Sequence, residues 1–146
     1  MPRGDRITDI YNSVSLDFLI PIGGENVAGF HGSPRLSVAA GTEPFETIAN
    51  GESVTEYPEP GEVVWRDTRG VTCRRWNWRQ CRRTQLSGSA TCVLFTLDAL
   101  SCMTDETVDA AHRALVDRLT ENAPADNVYM RMLSASESIA PPAHTS

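Results

Sequence analysis

Seven arginines and two tryptophans lie together in the middle of the chain, between residues 66 and 83. The same stretch contains one acid, Asp67, so its local charge is +6. Guanidinium groups form paired hydrogen bonds with phosphates, and tryptophan rings stack on nucleic-acid bases. This combination of residue types favours contact with RNA.

An extended conformation over residues 71–80 would place successive side chains on opposite faces of a strand. One face then carries Thr72, Arg74, Trp76, Trp78 and Gln80, and the other carries Val71, Cys73, Arg75, Asn77 and Arg79. Arg82 and Arg83 extend the positive charge into the next turn. The residues predicted to contact RNA are therefore Arg74, Arg75, Trp76, Trp78, Arg79, Arg82 and Arg83.

Two other interpretations of this segment stay open. The tryptophans could be core residues, with the arginines paired to the 18 other acids of the chain in a surface network. Alternatively, the arginines could line a pocket for an anionic small molecule. The direction of the side chains separates these interpretations, because RNA binding requires the arginines to converge on one open surface.

The basic segment contrasts with the rest of the chain, which is acidic. The 146 residues contain 13 arginines, no lysine and 19 acids, which give a net charge of −6. Outside residues 66–83, six arginines oppose 18 acids. No global positive field therefore attracts nucleic acid, and any such contact depends on the local segment. The length predicts one domain with a hydrophobic core.

The sequence contains no strong signature of a metal site, a cofactor or a catalytic nucleophile. The four cysteines show no C-x-x-C spacing and are expected to be thiols, with Cys92 packed as a small hydrophobic residue. The three histidines are too scattered to form a ligand set. Glu56 and Glu59 lie in a predicted loop and are expected to face solvent. Catalytic residues are therefore not assigned, and we expect no metal and no cofactor.

No segment has the pattern of an export signal or of a bilayer-spanning helix. Charged residues interrupt the N-terminus, and apolar runs such as residues 18–22 are too short to cross a membrane. We therefore expect a cytoplasmic protein that has no membrane partner.

Apolar periodicity and turn residues predict strands between two helices. Residues 7–19 form the first helix, which Pro21 and the Gly23-Gly24 pair end with a turn. Thr104 caps the second helix, whose buried stripe is Val108, Ala111, Leu115 and Leu119. The predicted strands are 35–40, 63–65, 71–78, 91–97 (buried on both faces) and 127–133, and residues 49–61 are a solvated loop. This order of elements indicates an α+β fold.

Three sequence strings resemble a known family. They are DIYNSVSLDFLIPIGG at 9–24, VVWRDTRGVTCRRWNWRQCRRTQL at 63–86 and ATCVLFTLDAL at 90–100. Together they are similar to free-standing B3/B4-domain proteins, relatives of the editing domain in the beta chain of phenylalanyl-tRNA synthetase. The resemblance implies a mixed, largely antiparallel β-sheet with packing helices. Residues 1–133 would form one such domain that lacks part of the family's N-terminal region, and residues 134–146 a disordered tail.

The synthetase domain hydrolyses wrongly charged aminoacyl-tRNA, and the resemblance places its pocket residue by residue. Asp9 and Asn12 match a D-x-x-N motif, whereas Gly23 and Gly24 stand near the family's histidine. Gln85 stands where the synthetase has a glutamate, and its Gly-Gly turn falls at Arg79 and Gln80. The pocket residues expected from this comparison are Asp9, Asn12, Gly23, Gly24, Asn77, Gln80 and Gln85.

Binding of RNA, and of tRNA in particular, is the function predicted first. One alternative is a hydrolase of mischarged aminoacyl-tRNA or of a related acyl ester, which the replacement of the glutamate by Gln85 makes less favourable. The other alternative is an inert module that binds a small molecule or a protein. The expected partners are therefore tRNA or another RNA, with an aminoacyl group as a further candidate.

Overall fold

Two helices and eight short strands make up the part of the chain that the computed structural model describes, residues 3–122 and 127–134. The helices are α1 (Arg3–Phe18) and α2 (Asp105–Asn122). The strands are β1 (Ile22–Asn26), β2 (Arg35–Val38), β3 (Phe45–Ala49), β4 (Glu52–Glu56), β5 (Val63–Arg66), β6 (Val71–Arg74), β7 (Arg79–Gln80) and β8 (Val93–Leu97). Single 3₁₀ turns follow β1 and β7, at Val27–Gly29 and Arg82–Thr84.

The strands form three antiparallel sheets. Strand β1 pairs with β8, strands β2, β5, β6 and β7 follow one another in a four-stranded sheet, and β3 pairs with β4 as a hairpin. Because the sheets are antiparallel and the helices lie at either end of the described elements, the predicted α+β class is confirmed.

Two groups of buried side chains stabilise the fold. The first lies where α1 and α2 pack on β1, and consists of Val14, Ile20, Ile22, Val108, Ala111 and Leu115. The second lies between the hairpin and the four-stranded sheet, and consists of Ala39, Phe45, Val64, Val71 and Cys81. The basic segment runs along this second core, so its side chains meet the acids of neighbouring strands.

Both predicted helices are confirmed. In α2 the Thr104 hydroxyl accepts a hydrogen bond from the Thr107 backbone amide at 3.2 Å, as an N-cap residue does. Val108, Ala111 and Leu115 are buried, and Leu119 packs against the same core. The 3.6-residue period was a sufficient signal because both helices bury one apolar face.

The prediction that Gly23 and Gly24 form a turn is wrong, because both lie inside β1 and pair with Thr96 and Phe95 of β8. The prediction that residues 49–61 are a loop is also wrong at its beginning. Strands β3 and β4 form a hairpin around Asn50-Gly51, and both turn residues have the positive φ typical of such turns.

Four further predictions need correction. Strand β6 ends at Arg74, so residues 75–78 are not extended. Strand β8 has β1 as its only described neighbour and is half-buried along most of its length, and Cys92 beside it is exposed. Residues 127–133 lack strand pairing and are exposed, because no described strand lies beside them. Residues 135–146 of the predicted tail lie outside the described residues.

No helix of the described part is long and apolar enough to cross a membrane. The four cysteines are free. Among residues 3–122 and 127–134, no group of three or more His, Cys, Asp or Glu side chains is placed to hold a metal ion.

Candidate functional site

Residues 75–78 form a strained turn between β6 and β7. Arg75, Trp76 and Asn77 have φ values of 51°, 56° and 64°, which is the left-handed region that side chains with a Cβ rarely adopt. The Trp78 amide donates to the Arg75 carbonyl at 3.2 Å and closes the turn. Such strain is kept where the surroundings hold it in place, and it is concentrated at functional sites.

Asp98 contacts this turn and fixes the position of Asn77. Its carboxylate accepts a hydrogen bond from Asn77 Nδ2 at 2.7 Å and one from Trp65 Nε1 at 3.2 Å. Burial raises the pKa of Asp98, although these two hydrogen bonds oppose the shift. Because the carboxylate can only accept, it fixes the orientation of the Asn77 amide. Asn77 Oδ1 is then buried without a hydrogen-bond partner among the described residues.

A cleft of about 350 Å³ opens between α1 and this turn. Helix α1 contributes Tyr11, Asn12 and Ser15, and the opposite wall consists of Trp76, Asn77, Trp78 and Gln80. The two tryptophans are 53% and 79% exposed, so they are not core residues. The cleft therefore combines an open aromatic surface with amide side chains.

Gly23 and Gly24 lie beneath the cleft, and the absence of a side chain at Gly23 leaves space for Asn77 in the cleft wall. A Cβ on Gly23 would lie 2.9 Å from both Cβ and Cγ of Asn77. The Gly24 carbonyl accepts a hydrogen bond from Gln80 Nε2 at 2.8 Å, and the same nitrogen donates to Thr84 O at 3.1 Å. The close approach of β1 thus positions both amides, Asn77 and Gln80.

Replacement of Gly23 by alanine is expected to displace Asn77 and lower the free energy of unfolding by about 2 kcal/mol, a typical cost of overpacking. Urea unfolding measures the stability, and tryptophan fluorescence reports the position of the turn. Gly88→Ala is the control, because nothing lies within 4 Å of that position. Equal stability and unchanged fluorescence for Gly23→Ala would contradict this account of the cleft wall.

The predicted pocket residues divide into two groups. Asn12, Asn77 and Gln80 line the cleft, and Gly23 and Gly24 lie under it. Asp9 is exposed on α1 and Gln85 is exposed after the 3₁₀ turn, and neither lines the cleft. Five of the seven residues thus lie at or under one cleft, and Gln85, which stands where the synthetase has a glutamate, lies outside it.

Most arginines of the basic segment are paired with acids. Arg74 is 4% exposed and forms a bidentate contact with Glu62, at 3.0 Å from Nε and 2.7 Å from an Nη. The other pairs are Arg66–Glu43, Arg69–Glu46, Arg79–Glu56 and Arg83–Asp67. Glu56, predicted to face solvent, is half-buried against Arg74 and Arg79. Five of the seven arginines therefore have carboxylate partners.

Arg75 and Arg82 are the exceptions. Both are exposed and form no ion pair with a described residue, and Arg82 donates to Ser53 Oγ at 2.8 Å. Because residues 75–78 turn away from the strand, the predicted alternating face of Thr72, Arg74, Trp76, Trp78 and Gln80 does not exist. The tryptophans lie at the cleft, whereas Arg74 lies inside the protein.

A buried acid near the cleft was missed at the level of sequence. Glu25 on β1 is 1% exposed, and it accepts hydrogen bonds from Thr84 Oγ1 at 2.7 Å and Thr72 Oγ1 at 3.5 Å. Burial raises the pKa of Glu25, although these hydroxyls and the Cys73 thiol oppose the shift. Burial also raises the pKa of Cys73, so this thiol is unreactive. Glu25 follows Gly23 and Gly24 in the sequence, and these neighbours did not predict that its carboxylate would be buried.

Replacement of Glu25 by glutamine is expected to flatten the pH dependence of stability. A carboxyl whose folded pKa lies above its unfolded value favours folding at low pH, and this contribution falls as the pH rises through the folded pKa. Glu25→Gln does not titrate, so its stability relative to wild type should rise between pH 4 and pH 8. Urea titrations at both pH values test this, with exposed Glu59→Gln as control. Parallel pH profiles for wild type and Glu25→Gln would contradict the assignment.

Fold and cleft together define an α+β domain with small antiparallel sheets and an aromatic cleft against its first helix. The chain belongs to the B3/4 domain family, whose family model matches residues 2–120. The family resemblance of the sequence is thereby confirmed. No curated protein and no solved structure matches the chain.

Proposed function

We propose that this chain binds the 3′ end of an RNA, in particular of a tRNA, in the cleft between α1 and the turn 75–78. The observation that carries the proposal is the pair of exposed tryptophans that line one cleft with the amide side chains of Asn12 and Gln80. Membership of the B3/4 family supports it, because the sequence resembles the editing domain of a tRNA synthetase. The proposal places the protein in the cytoplasm, where tRNA is charged.

Stacking supplies the affinity in this proposal. A base stacked on an aromatic side chain contributes about 1–3 kcal/mol, largely independent of sequence. Trp78, which is 79% exposed, presents a face to an incoming base. Asn12 and Gln80 line the same cleft and provide further polar contacts.

The arginine run has a different role in this proposal from the one predicted. Five of its side chains neutralise acids of the same domain, so they do not present free charge to phosphates. The chain as a whole is acidic, which disfavours binding along an RNA backbone. Recognition of a short single-stranded end is therefore favoured over binding of a duplex.

Binding of a short RNA ending in CCA tests the proposal, with fluorescence anisotropy as the measurement. Trp78→Ala is expected to weaken binding about 5- to 100-fold, the equivalent of one lost stack. Tyr129→Ala is the control, since Tyr129 is an exposed aromatic residue that does not line the cleft. Equal affinities of wild type and Trp78→Ala, or absence of binding by wild type at millimolar RNA, would overturn the proposal.

Hydrolysis of an aminoacyl ester is the second candidate. Asn77, together with Asn12 and Gln80, contributes an amide group to the cleft wall that would orient a water molecule toward an ester carbonyl. The described lining residues include no carboxylate, imidazole or thiol, and Tyr11 is their one ionisable group, with a pKa raised by burial. Incubation with a panel of mischarged tRNAs separates the candidates. Deacylation above the spontaneous rate that is lost in Asn77→Ala would establish hydrolysis, and no deacylation would leave binding alone.

A further inference from the structure

A second concave surface lies between the β3–β4 hairpin and the 3₁₀ turn Arg82–Thr84. This groove has a volume of about 450 Å³. Its polar lining consists of three arginines (Arg69, Arg82 and Arg83), three hydroxyl residues (Thr47, Ser53 and Thr55) and one acid, Glu46. It shares no lining residue with the cleft.

The charges of the groove do not cancel. Asp67 neutralises Arg83, to which it is bound at 2.6 Å and 2.8 Å. Arg69 contacts one carboxylate oxygen of Glu46 at 3.0 Å. Arg82 has no carboxylate partner among the described residues. The groove therefore retains one positive charge that is not neutralised.

The guanidinium groups are positioned but not saturated. Each guanidinium has five N–H donors. Ser53 Oγ accepts one hydrogen bond from Arg82 at 2.8 Å and thereby orients it across the groove. The pairing of Arg69 with Glu46 likewise uses one of its terminal nitrogens. Donors remain for an incoming anion, and holding the side chains in place beforehand lowers the entropy lost on binding.

We propose that this groove binds the phosphate group of a small phosphate monoester. Guanidinium groups match the oxygen geometry of phosphate, and nearby threonine hydroxyls donate further hydrogen bonds. The volume exceeds that of a phosphate alone and lies in the usual range for small-molecule sites, about 300–1,000 Å³. The groove is separate from the RNA cleft, so the proposal does not depend on that function.

Titration calorimetry with methyl phosphate at low ionic strength tests the proposal. Wild type is expected to bind saturably, and Arg82→Ala to bind about tenfold more weakly or not at all, as loss of a charge-assisted hydrogen bond implies. Arg113→Ala, which removes an exposed arginine of α2, is the matched control and should bind as wild type. Absence of saturable binding, or equal weakening in both variants, would overturn the proposal.

The pH dependence adds a second readout. A phosphate monoester gains its second charge near pH 6, so binding of methyl phosphate should strengthen between pH 5.5 and pH 7.5. Sulfate is doubly charged throughout this range, so its affinity should not change between pH 5.5 and pH 7.5. Trp78→Ala should leave methyl phosphate binding unchanged, and Arg82→Ala should leave binding of the RNA end unchanged. If each variant impairs both ligands, the two surfaces are one site and the proposal fails.

Discussion

Replacement of Arg74 by alanine is expected to lower the free energy of unfolding by about 3 kcal/mol, because it removes a buried guanidinium and leaves the partly buried Glu62 without its cation. Arg74 contacts both oxygens of Glu62 and one oxygen of Glu56, and its guanidinium lies 5.4 Å above the centre of the Phe45 ring. The hydrogen bond from Arg74 holds the pKa of Glu62 below its usual value, against the opposing effect of burial. Urea unfolding followed by circular dichroism at pH 7 gives the change.

The neighbouring residue provides a matched control. Arg75 is exposed and forms no ion pair with a described residue, so Arg75→Ala should change the stability by less than about 0.5 kcal/mol. Both variants remove one positive charge, from adjacent positions at the end of β6 and the start of the turn. If the two variants lose equal stability, the effect of Arg74 is one of net charge, and the account of its ion pairs is wrong.

Replacement of Asp67 by alanine is expected to have a larger effect, about 4 kcal/mol or more. Asp67 is fully buried, and its carboxylate accepts bonds from the amides of His31, Arg69 and Gly70 as well as from Arg83. The alanine variant leaves the largely buried Arg83 guanidinium without its carboxylate, with the Gly29 carbonyl as its remaining acceptor, and it removes the acceptor of three amides. Because domains of this size are stabilised by only about 5–15 kcal/mol, thermal unfolding should detect partial unfolding near room temperature.

Acid titration of a milder variant keeps this prediction measurable. Burial alone would raise the pKa of Asp67, but the hydrogen bonds from Arg83, His31 and Arg69 lower it overall. A lowered folded pKa stabilises the protein above the unfolded value near 3.9, and this contribution is lost as the pH falls through the folded pKa. The free energy of unfolding of Asp67→Asn should therefore fall less steeply than that of wild type as the pH is lowered. The exposed Asp109→Ala should change stability by only a few tenths of a kcal/mol and serves as control.

The elements that depend mainly on neighbouring residues were predictable from the sequence. Helices α1 and α2 follow from apolar periodicity, and the Thr104 cap from the acids after it. The β3–β4 hairpin also had a local signal, Asn50-Gly51, which the Glu- and Pro-rich composition of residues 49–61 outweighed. The α+β class was therefore predictable from the sequence, although the β3–β4 hairpin was not predicted.

The partners of the arginines in residues 66–83 could not be predicted from the neighbouring sequence. Arg74 meets Glu62 and Glu56, which lie 12 and 18 positions earlier in the chain, and only the sheet order brings them together. The left-handed turn contains no glycine, and Asp98, 21 positions later, holds it. The predicted extended strand placed Asn77 on the opposite face from Trp76, Trp78 and Gln80, whereas the turn brings all four to one cleft.

The salt dependence of RNA binding tests the central claim most directly, namely that the aromatic cleft recognises the ligand while the arginines stabilise the fold. For single strands the slope of log affinity against log salt is about −0.7 for each neutralised phosphate. Arg75 is the one arginine of the turn 75–78 beside the cleft, and it has no carboxylate partner among the described residues, so the predicted slope is about −0.7 or shallower. A slope of about −3 or steeper would mean that four or more arginines contact phosphates and would contradict the account.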